Sequence, residues 1–190
     1  MALDAGDIRV AGMAHVYFAP LLTPFPAFDE PPDPLVWIEL GYVTTDGVTL
    51  GFTREIQEIY AMQSLEPVRV ISTKVPKTVG FSMMQQGRGQ LILALGGGTW
   101  TTTGTAPDVV HRYEPPDASV IDERAMLVQM QDGVHEYRYG YKRAQNREGV
   151  EHKLVREEAA TFPVTMQILA PTDGSVPFFI ESNDPALAAA

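Results

Sequence analysis

The residues that could carry enzyme chemistry do not fall into any familiar catalytic spacing. Residues 87–90 lack the third glycine of a dinucleotide-binding loop, and residues 96–98, Gly-Gly-Gly, are not followed by the Lys-Ser or Lys-Thr of a phosphate-binding loop. No Gly-x-Ser-x-Gly nucleophile motif is present. The histidines show no paired metal-ligand spacing and stand far apart: His15, His111, His135 and His152. We therefore predict no catalytic or metal-binding residues, no cofactor and no enzyme activity.

The composition of the chain excludes further kinds of functional site and indicates the kind of protein. The chain contains no cysteine, which excludes a disulfide framework, a thiolate zinc site and a cysteine nucleophile. Its 190 residues, 45% of them hydrophobic, suit a single domain spanning 1–190 with a proper core. The first residues are acidic where a signal peptide is basic, and no apolar run approaches the roughly 18 residues of a membrane span. We expect a soluble protein made in the cytoplasm, with no membrane partner.

The charge of the chain is strongly negative. The formal net charge is −10, and residues 1–70 carry ten acids against three bases. Specific nucleic-acid binders usually present a basic surface that displaces counterions from phosphate, so this balance argues against specific DNA or RNA binding. Solubility alone would also account for it.

The elements that organise the chain lie between residues 65 and 98. Two strands are predicted at 67–75 and 78–84, the second with Val79, Phe81 and Met83 on one face. A short helix follows and ends at the three glycines, because glycine readily adopts the left-handed conformation at which helices terminate.

Three short motifs lie in this stretch and just before it. Residues 66–69 read Glu-Pro-Val-Arg before the first strand, and residues 94–98 read Ala-Leu-Gly-Gly-Gly at the end of the helix. Residues 41–48 read Gly-Tyr-Val-Thr-Thr-Asp-Gly-Val and lead into the region. With these motifs, residues 37–103 resemble the major tail tube proteins of long-tailed, siphovirus-type bacteriophages, in which a similar hairpin precedes the two strands.

Most of the remaining pattern is also β. Strands are predicted at 14–18, 122–131, 134–143, 150–156, 162–168 and 176–180, with Asp-Gly hairpins at residues 46–47 and 132–133 and a loop over 106–119. Tyr137, Tyr139 and Tyr141 alternate with charged residues and are expected to pack into a core rather than stack on bases. The fold class predicted is mostly β, an antiparallel sandwich or barrel of about nine strands with one short α-helix. Residues 184–190 are expected to form a flexible tail.

A proline-rich arm is predicted over residues 20–36. Five prolines fall within residues 23–34, which rules out a helix or a central strand there. Phe25 and Phe28 in this arm either pack back on their own domain or dock onto a neighbouring subunit. Because the family uses an early long loop between stacked rings, the resemblance implies an inter-ring contact made by Phe25, Phe28, Asp29, Glu30 and Asp33.

The resemblance implies a structural function. Copies of the chain would close into hexameric rings that stack into a tube in the virion tail, and double-stranded DNA would pass through without specific binding. The implied partners are the chain itself, the tape-measure protein, the tail terminator and the distal tail proteins, all made in a host bacterium. An acidic lumen would repel phosphate, and the candidate acids are Glu55, Glu58, Glu136 and Glu151. Charged neighbouring strands suggest lateral contacts between subunits through Arg138, Lys142, Lys153 and Arg156.

Two alternatives stay open on the sequence. A tail terminator or a secretion-tube ring protein could share the fold, but a terminator would cap a tube rather than polymerise. A β-sandwich module that binds a small molecule or a sugar would be a monomer or dimer with a concave site, and it would leave Phe25 and Phe28 without an intersubunit role.

Overall fold

The computed structural model describes residues 7–117, 119–152, 154, 156 and 159–188. Over these residues the chain is mostly β with one α-helix, as the sequence predicted, and it also has a final 3₁₀ helix that was not predicted. The elements are β1 (Met13–Pro20), β2 (Ile38–Glu39), β3 (Thr49–Phe52), β4 (Glu55–Tyr60), β5 (Pro67–Lys74), β6 (Lys77–Met83), α1 (Arg88–Leu95), β7 (Thr99–Thr103), β8 (Val110–Glu114), β9 (Glu123–Asp132), β10 (His135–Asn146), β11 (Phe162–Ile168), β12 (Phe178–Ser182) and the 3₁₀ helix Pro185–Leu187.

Eight of the strands form one antiparallel sheet that folds over on itself as a sandwich. Its order is β2-β1-β9-β10-β11-β6-β3, and β12 pairs with β10 beside this path. The long strand β10 makes the fold possible, because its first part pairs with β12 and its last residues pair with β11. Between these two parts, from Tyr141 to Ala144, the pairing of β10 with β9 shifts register. Such a bulge bends a strand.

The core lies between the two layers and is made by alternate residues of each strand. Three residues of β6 face inward as the period of two predicts: Val79, Phe81 and Met83. Their ladder partners on the neighbouring strand β11 are Met166, Val164 and Phe162, which are buried in the same cluster. Tyr141 is buried in the same cluster and Tyr139 packs against it, so these two members of the tyrosine stripe belong to the core. Burial raises the pKa of both phenols.

The helix α1 covers one end of this core and stops where the glycines predicted. Gly96 is in the left-handed conformation with φ of 76°, and the chain then turns into β7. Leu93 and Ala94 are buried against the core. The buried amide of Gln90 donates to the carbonyl oxygen of Leu40 at 2.9 Å, which ties the helix to the segment after β2.

Three local predictions are wrong. The predicted hairpin at Asp46-Gly47 does not form: residues 43 and 49–52 both pair with β6, so the turn interrupts one edge instead of joining two paired strands. The loop predicted over 106–119 contains β8, which pairs with β7. The strand predicted over 150–156 is absent at the described residues 150–152, 154 and 156. The second hairpin is confirmed, since β9 and β10 pair from Asp132 and His135 onward.

The two ends of the described chain meet at a buried carboxylate. Asp184 is 4% exposed and accepts hydrogen bonds from the guanidinium of Arg9, at 2.5 and 2.8 Å, and from the hydroxyl of Tyr137. These donors hold the pKa of Asp184 well below its usual range. Asp184 also caps the 3₁₀ helix Pro185–Leu187. The predicted flexible tail therefore begins at an anchored residue.

Candidate assembly surface

A long hairpin extends from the sandwich and is built from β4, β5 and the turn over residues 61–66; we call it the projecting hairpin. It continues the β3–β6 ladder, because the offset that pairs Phe52 with Lys77 also pairs Glu55 with Lys74. Pro76 has no backbone N–H to donate, which breaks the ladder at the junction. The backbone N–H of Thr53 still donates to the carbonyl oxygen of Pro76 at 3.1 Å. β5 alone has eight residues and spans roughly 25 Å.

The projecting hairpin is rich in β-branched residues that no other described part of the chain covers. All six residues of β4 are exposed, and so are all residues of β5 except the half-buried Ile71. At the turn, Met62 and Leu65 are fully exposed. The other large apolar residues exposed on the hairpin are Ile56, Ile59, Tyr60, Val68 and Val70.

Both faces of the projecting hairpin carry apolar side chains. Residues directly opposite in an antiparallel pair share a face, so Glu58 and Val70 lie on one side, and Ile59 and Arg69 lie on the other. Two register shifts increase the twist of this ribbon. The tip is also apolar, and one contact with a flat surface would cover only one of these faces.

A two-stranded ribbon of this kind needs a packing partner to be stable in water. A two-stranded hairpin is marginally stable alone, and its outer edges present unpaired backbone N–H and C=O groups. Exposed apolar surface beside free edges marks a site of protein association. The projecting hairpin is therefore the strongest candidate assembly surface among the described residues. β7 and β8 form a second hairpin, but the hydroxyl of Tyr113 anchors it to the carbonyl oxygen of Gly97 at 2.6 Å.

The proline-rich arm lies on the outer face of its own sheet. Phe25 packs against Trp37, with ring centroids 5.1 Å apart, and edge-on against Phe179 at 4.9 Å. Trp37 belongs to a second small core with Leu127 and Ala125, which explains why β9 is apolar on both faces. Phe28 lies under the guanidinium of Arg138, 5.1 Å from its ring centroid. The two phenylalanines thus have partners within their own chain.

The three acids predicted for the inter-ring contact point away from this packing. Asp29, Glu30 and Asp33 are exposed, and a carboxylate oxygen of Asp33 accepts a hydrogen bond from the backbone N–H of Leu35 at 2.9 Å. The arm therefore offers an acidic outer surface and an apolar inner one. An inter-ring role for these residues stays a prediction.

Arg138 fastens the arm to the sheet. Its side chain is 6% exposed, pairs with the carboxylate of Glu136 at 2.6 Å, and donates to the carbonyl oxygens of Ala27 at 2.7 Å and Glu30 at 3.0 Å. In this conformation Arg138 presents no free surface for a lateral contact, although the sequence placed it in that group. Its role within the chain was hidden from sequence reasoning because the arm and β10 are far apart in sequence.

The other residues predicted for lateral contacts do not gather on one surface. Lys142 donates to the hydroxyl of Ser175 at 2.8 Å and is partly buried. Arg156 is exposed and does not belong to a strand. Lys153 lies outside the described residues. Lateral contact through these lysines and arginines therefore stays a prediction.

The predicted lumen acids occupy three separate places. Glu55 and Glu58 lie on the projecting hairpin, where Glu55 pairs with Lys74 at 3.1 Å and Glu58 accepts a hydrogen bond from Tyr60 at 2.5 Å. That bond raises the pKa of the Tyr60 phenol. Glu136 is partly buried beside Arg138, and Glu151 is exposed in the loop after β10. A single copy of the chain thus does not bring the four acids together.

Sequence reasoning missed the apolar residues of the projecting hairpin. A signal was available, because Ile56 and Ile59 fall on opposite faces of one strand and cannot both face the same core.

Among the described residues, no helix is long and apolar enough to span a membrane, and no group of histidines and acids could hold a metal ion.

Comparison with known proteins agrees with a role in assembly. No curated protein matches the chain. A family model described as phage tail tube protein matches residues 1–190, the whole of the chain. The chain therefore belongs to the phage tail tube protein family and is a structural protein of the bacteriophage virion tail.

Proposed function

We propose that copies of this chain close into hexameric rings, and that the rings stack into a hollow tube that conducts double-stranded DNA during ejection. The family supports a structural tail tube subunit that assembles with itself and with other tail proteins. The hexameric ring and the conduit for DNA rest on the resemblance of residues 37–103. In the same proposal, the tape-measure protein fills the bore before ejection, and terminator and distal tail proteins close the two ends.

The observation that carries this proposal is the projecting hairpin. Its apolar residues lie on both faces and at the tip, and its outer edges are unpaired. Burying such surface against other copies would contribute about 25 cal/mol for each Å² of apolar area removed from water. Ring closure would also remove free strand edges that otherwise invite uncontrolled pairing. A monomeric binding module gains nothing from such a surface.

An acidic bore is the second part of the proposal. The projecting hairpin accounts for little of the net charge of −10, because its three acids, Glu55, Glu58 and Glu66, are nearly balanced by Arg69 and Lys74. Acids elsewhere on the chain, Glu151 among them, are therefore the better candidates for a lining that repels phosphate.

Substitution of one exposed valine tests the role of the projecting hairpin. Val70→Lys places a charge on the apolar face at a position that is 52% exposed, so the free energy of unfolding of the monomer should change by less than about 0.5 kcal/mol. We expect assembly to be lost, measured by sedimentation velocity and negative-stain electron microscopy over a concentration series.

The matched control is Val110→Lys, the same change at an exposed valine of β8. It should still form tubes. Tubes formed equally well by Val70→Lys and by the unaltered chain would contradict the role of the hairpin. Rings that cap a tube but never stack would instead identify a terminator.

A further inference from the structure

A cleft of about 830 Å³ opens where the two ends of the folded sheet face each other. We call it the seam cleft. One wall is the start of β1, residues 11–15, and the other runs through residues 41–45 to Val48 and Leu50. Its floor is the inner face of the sandwich, formed by Val128, Met130 and Tyr139. At this point the core of the sandwich is open to solvent.

A free strand edge borders the seam cleft on each side. β2 pairs only with Tyr17 and Phe18 of β1, and the backbone N–H of Leu40 bonds to Val16. Among the described residues, nothing pairs with the same side of residues 13–15. β3 likewise pairs only with β6 and leaves its other edge open. An added strand could bond to such an edge while its side chains cover the floor.

The direction of the chain excludes its own hairpin as the occupant. The cleft lies at the beginning of the β3 segment, at Val48 and Leu50, whereas the projecting hairpin leaves from the other end, beyond Phe52. Each copy therefore has a protruding ribbon at one end of the β3–β6 ladder and a receiving cleft at the other. Contacts between unlike surfaces of identical copies are head-to-tail, and they generate closed rings or open filaments.

The chemistry of the two surfaces favours the same pairing. The floor of the cleft is apolar, and Val70 is exposed on the projecting hairpin. Glu39 at the rim is paired with His15 at 2.7 Å, and Arg69 lies on the face of the hairpin opposite Val70, so neither charge would be buried against the floor. An apolar floor thus matches the apolar side chains that the ribbon presents.

We infer that the seam cleft receives the projecting hairpin of a second copy, with Val68 and Val70 over the apolar floor and a hairpin edge added to β1. This inference rests on the proposed tube function and names the contact through which copies join. In this contact, the exposed ribbon of one copy covers the open core of the next, so that both surfaces are buried in one interface.

Disulfide trapping tests the contact, because the natural chain has no cysteine that could react. One preparation carries Val68→Cys on the projecting hairpin, and a second, of different tag length, carries Ala14→Cys on the β1 wall of the cleft. The two are mixed under mild oxidation. A disulfide needs the two Cα atoms within roughly 4–7 Å, so a mixed dimer reports direct contact. The control replaces Val68→Cys by Asp108→Cys in the exposed turn between β7 and β8.

The expected result is a mixed dimer from the Val68 and Ala14 variants, at a yield several-fold above that of the Asp108 control. Tubes without this crosslink would overturn the inferred contact and leave the tube function intact. The crosslink without tubes would support the contact and count against the tube. Absence of both tubes and crosslink would overturn both.

Discussion

Replacing Arg138 with methionine should release the proline-rich arm from the sheet. The guanidinium makes two hydrogen bonds to carbonyl oxygens of the arm, at 2.7 and 3.0 Å, and a 2.6 Å ion pair with Glu136. Hydrogen bonds from a charged donor contribute roughly 1.5–3 kcal/mol each. Methionine keeps an apolar contact with Phe28, and the exposed Ala27 and Glu30 can be rehydrated. We therefore expect the free energy of unfolding to fall by about 3 kcal/mol.

The loss can be measured by urea denaturation of the monomer, followed by tryptophan fluorescence. Trp37 is a local reporter, because it is 3% exposed and contacts Phe25 of the arm. A loss of about 3 kcal/mol corresponds to a Tm lower by about 6–12 °C in a domain of this size. Chymotrypsin should also cleave the Phe28–Asp29 bond of the arm faster than in the unaltered chain.

The control is Arg112→Met, the same change at an arginine whose side chain is 75% exposed and pairs with Glu114 at 3.0 Å. Exposed ion pairs contribute about 1 kcal/mol or less, so this variant should unfold almost like the unaltered chain. If the free energy of unfolding of Arg138→Met also falls by less than about 1 kcal/mol, and its arm is cleaved no faster, Arg138 does not hold the arm. In that case the aromatic contacts alone would hold the arm.

Two further predictions concern acidic residues. The lowered pKa of Asp184 means that its stabilising contribution is full above the ordinary carboxyl range and is lost as pH falls below it; Asp184→Asn should therefore unfold at lower urea at pH 7, and the difference should narrow below about pH 4, as urea midpoints across pH would show. Virions carrying Glu151→Lys should eject DNA more slowly if Glu151 lines the bore, with Glu151→Gln giving a smaller effect, and unchanged ejection kinetics in both would remove this residue from the proposed lining.

Much of the sandwich could be predicted because local pattern and burial agree there. Val79, Phe81 and Met83 alternate on β6, and the left-handed Gly96 ends α1 where the glycine run predicted. The strand predicted over 122–131 is present as β9, and its apolar residues at 126–128 are buried on both faces of the sheet. The family resemblance drawn from residues 37–103 is confirmed by a match over the whole chain.

The assembly surface was harder to predict, because its apolar residues have no packing partner within the described chain. Ile59 and Val70 are apolar, yet no layer of the described chain covers them. The turn at Asp46-Gly47 has hairpin chemistry, but pairing of both flanks with β6 overrides it. Arg138 read as a surface charge, and only the return of the arm to β10 buries it.

The measurement that tests the account most directly is a cryo-electron microscopy reconstruction of the assembled protein. The account predicts stacked hexameric rings around an open bore, in which neighbouring copies cover the projecting hairpin on both faces. A tube whose hairpins remain exposed to solvent, with rings joined through other surfaces, would contradict it.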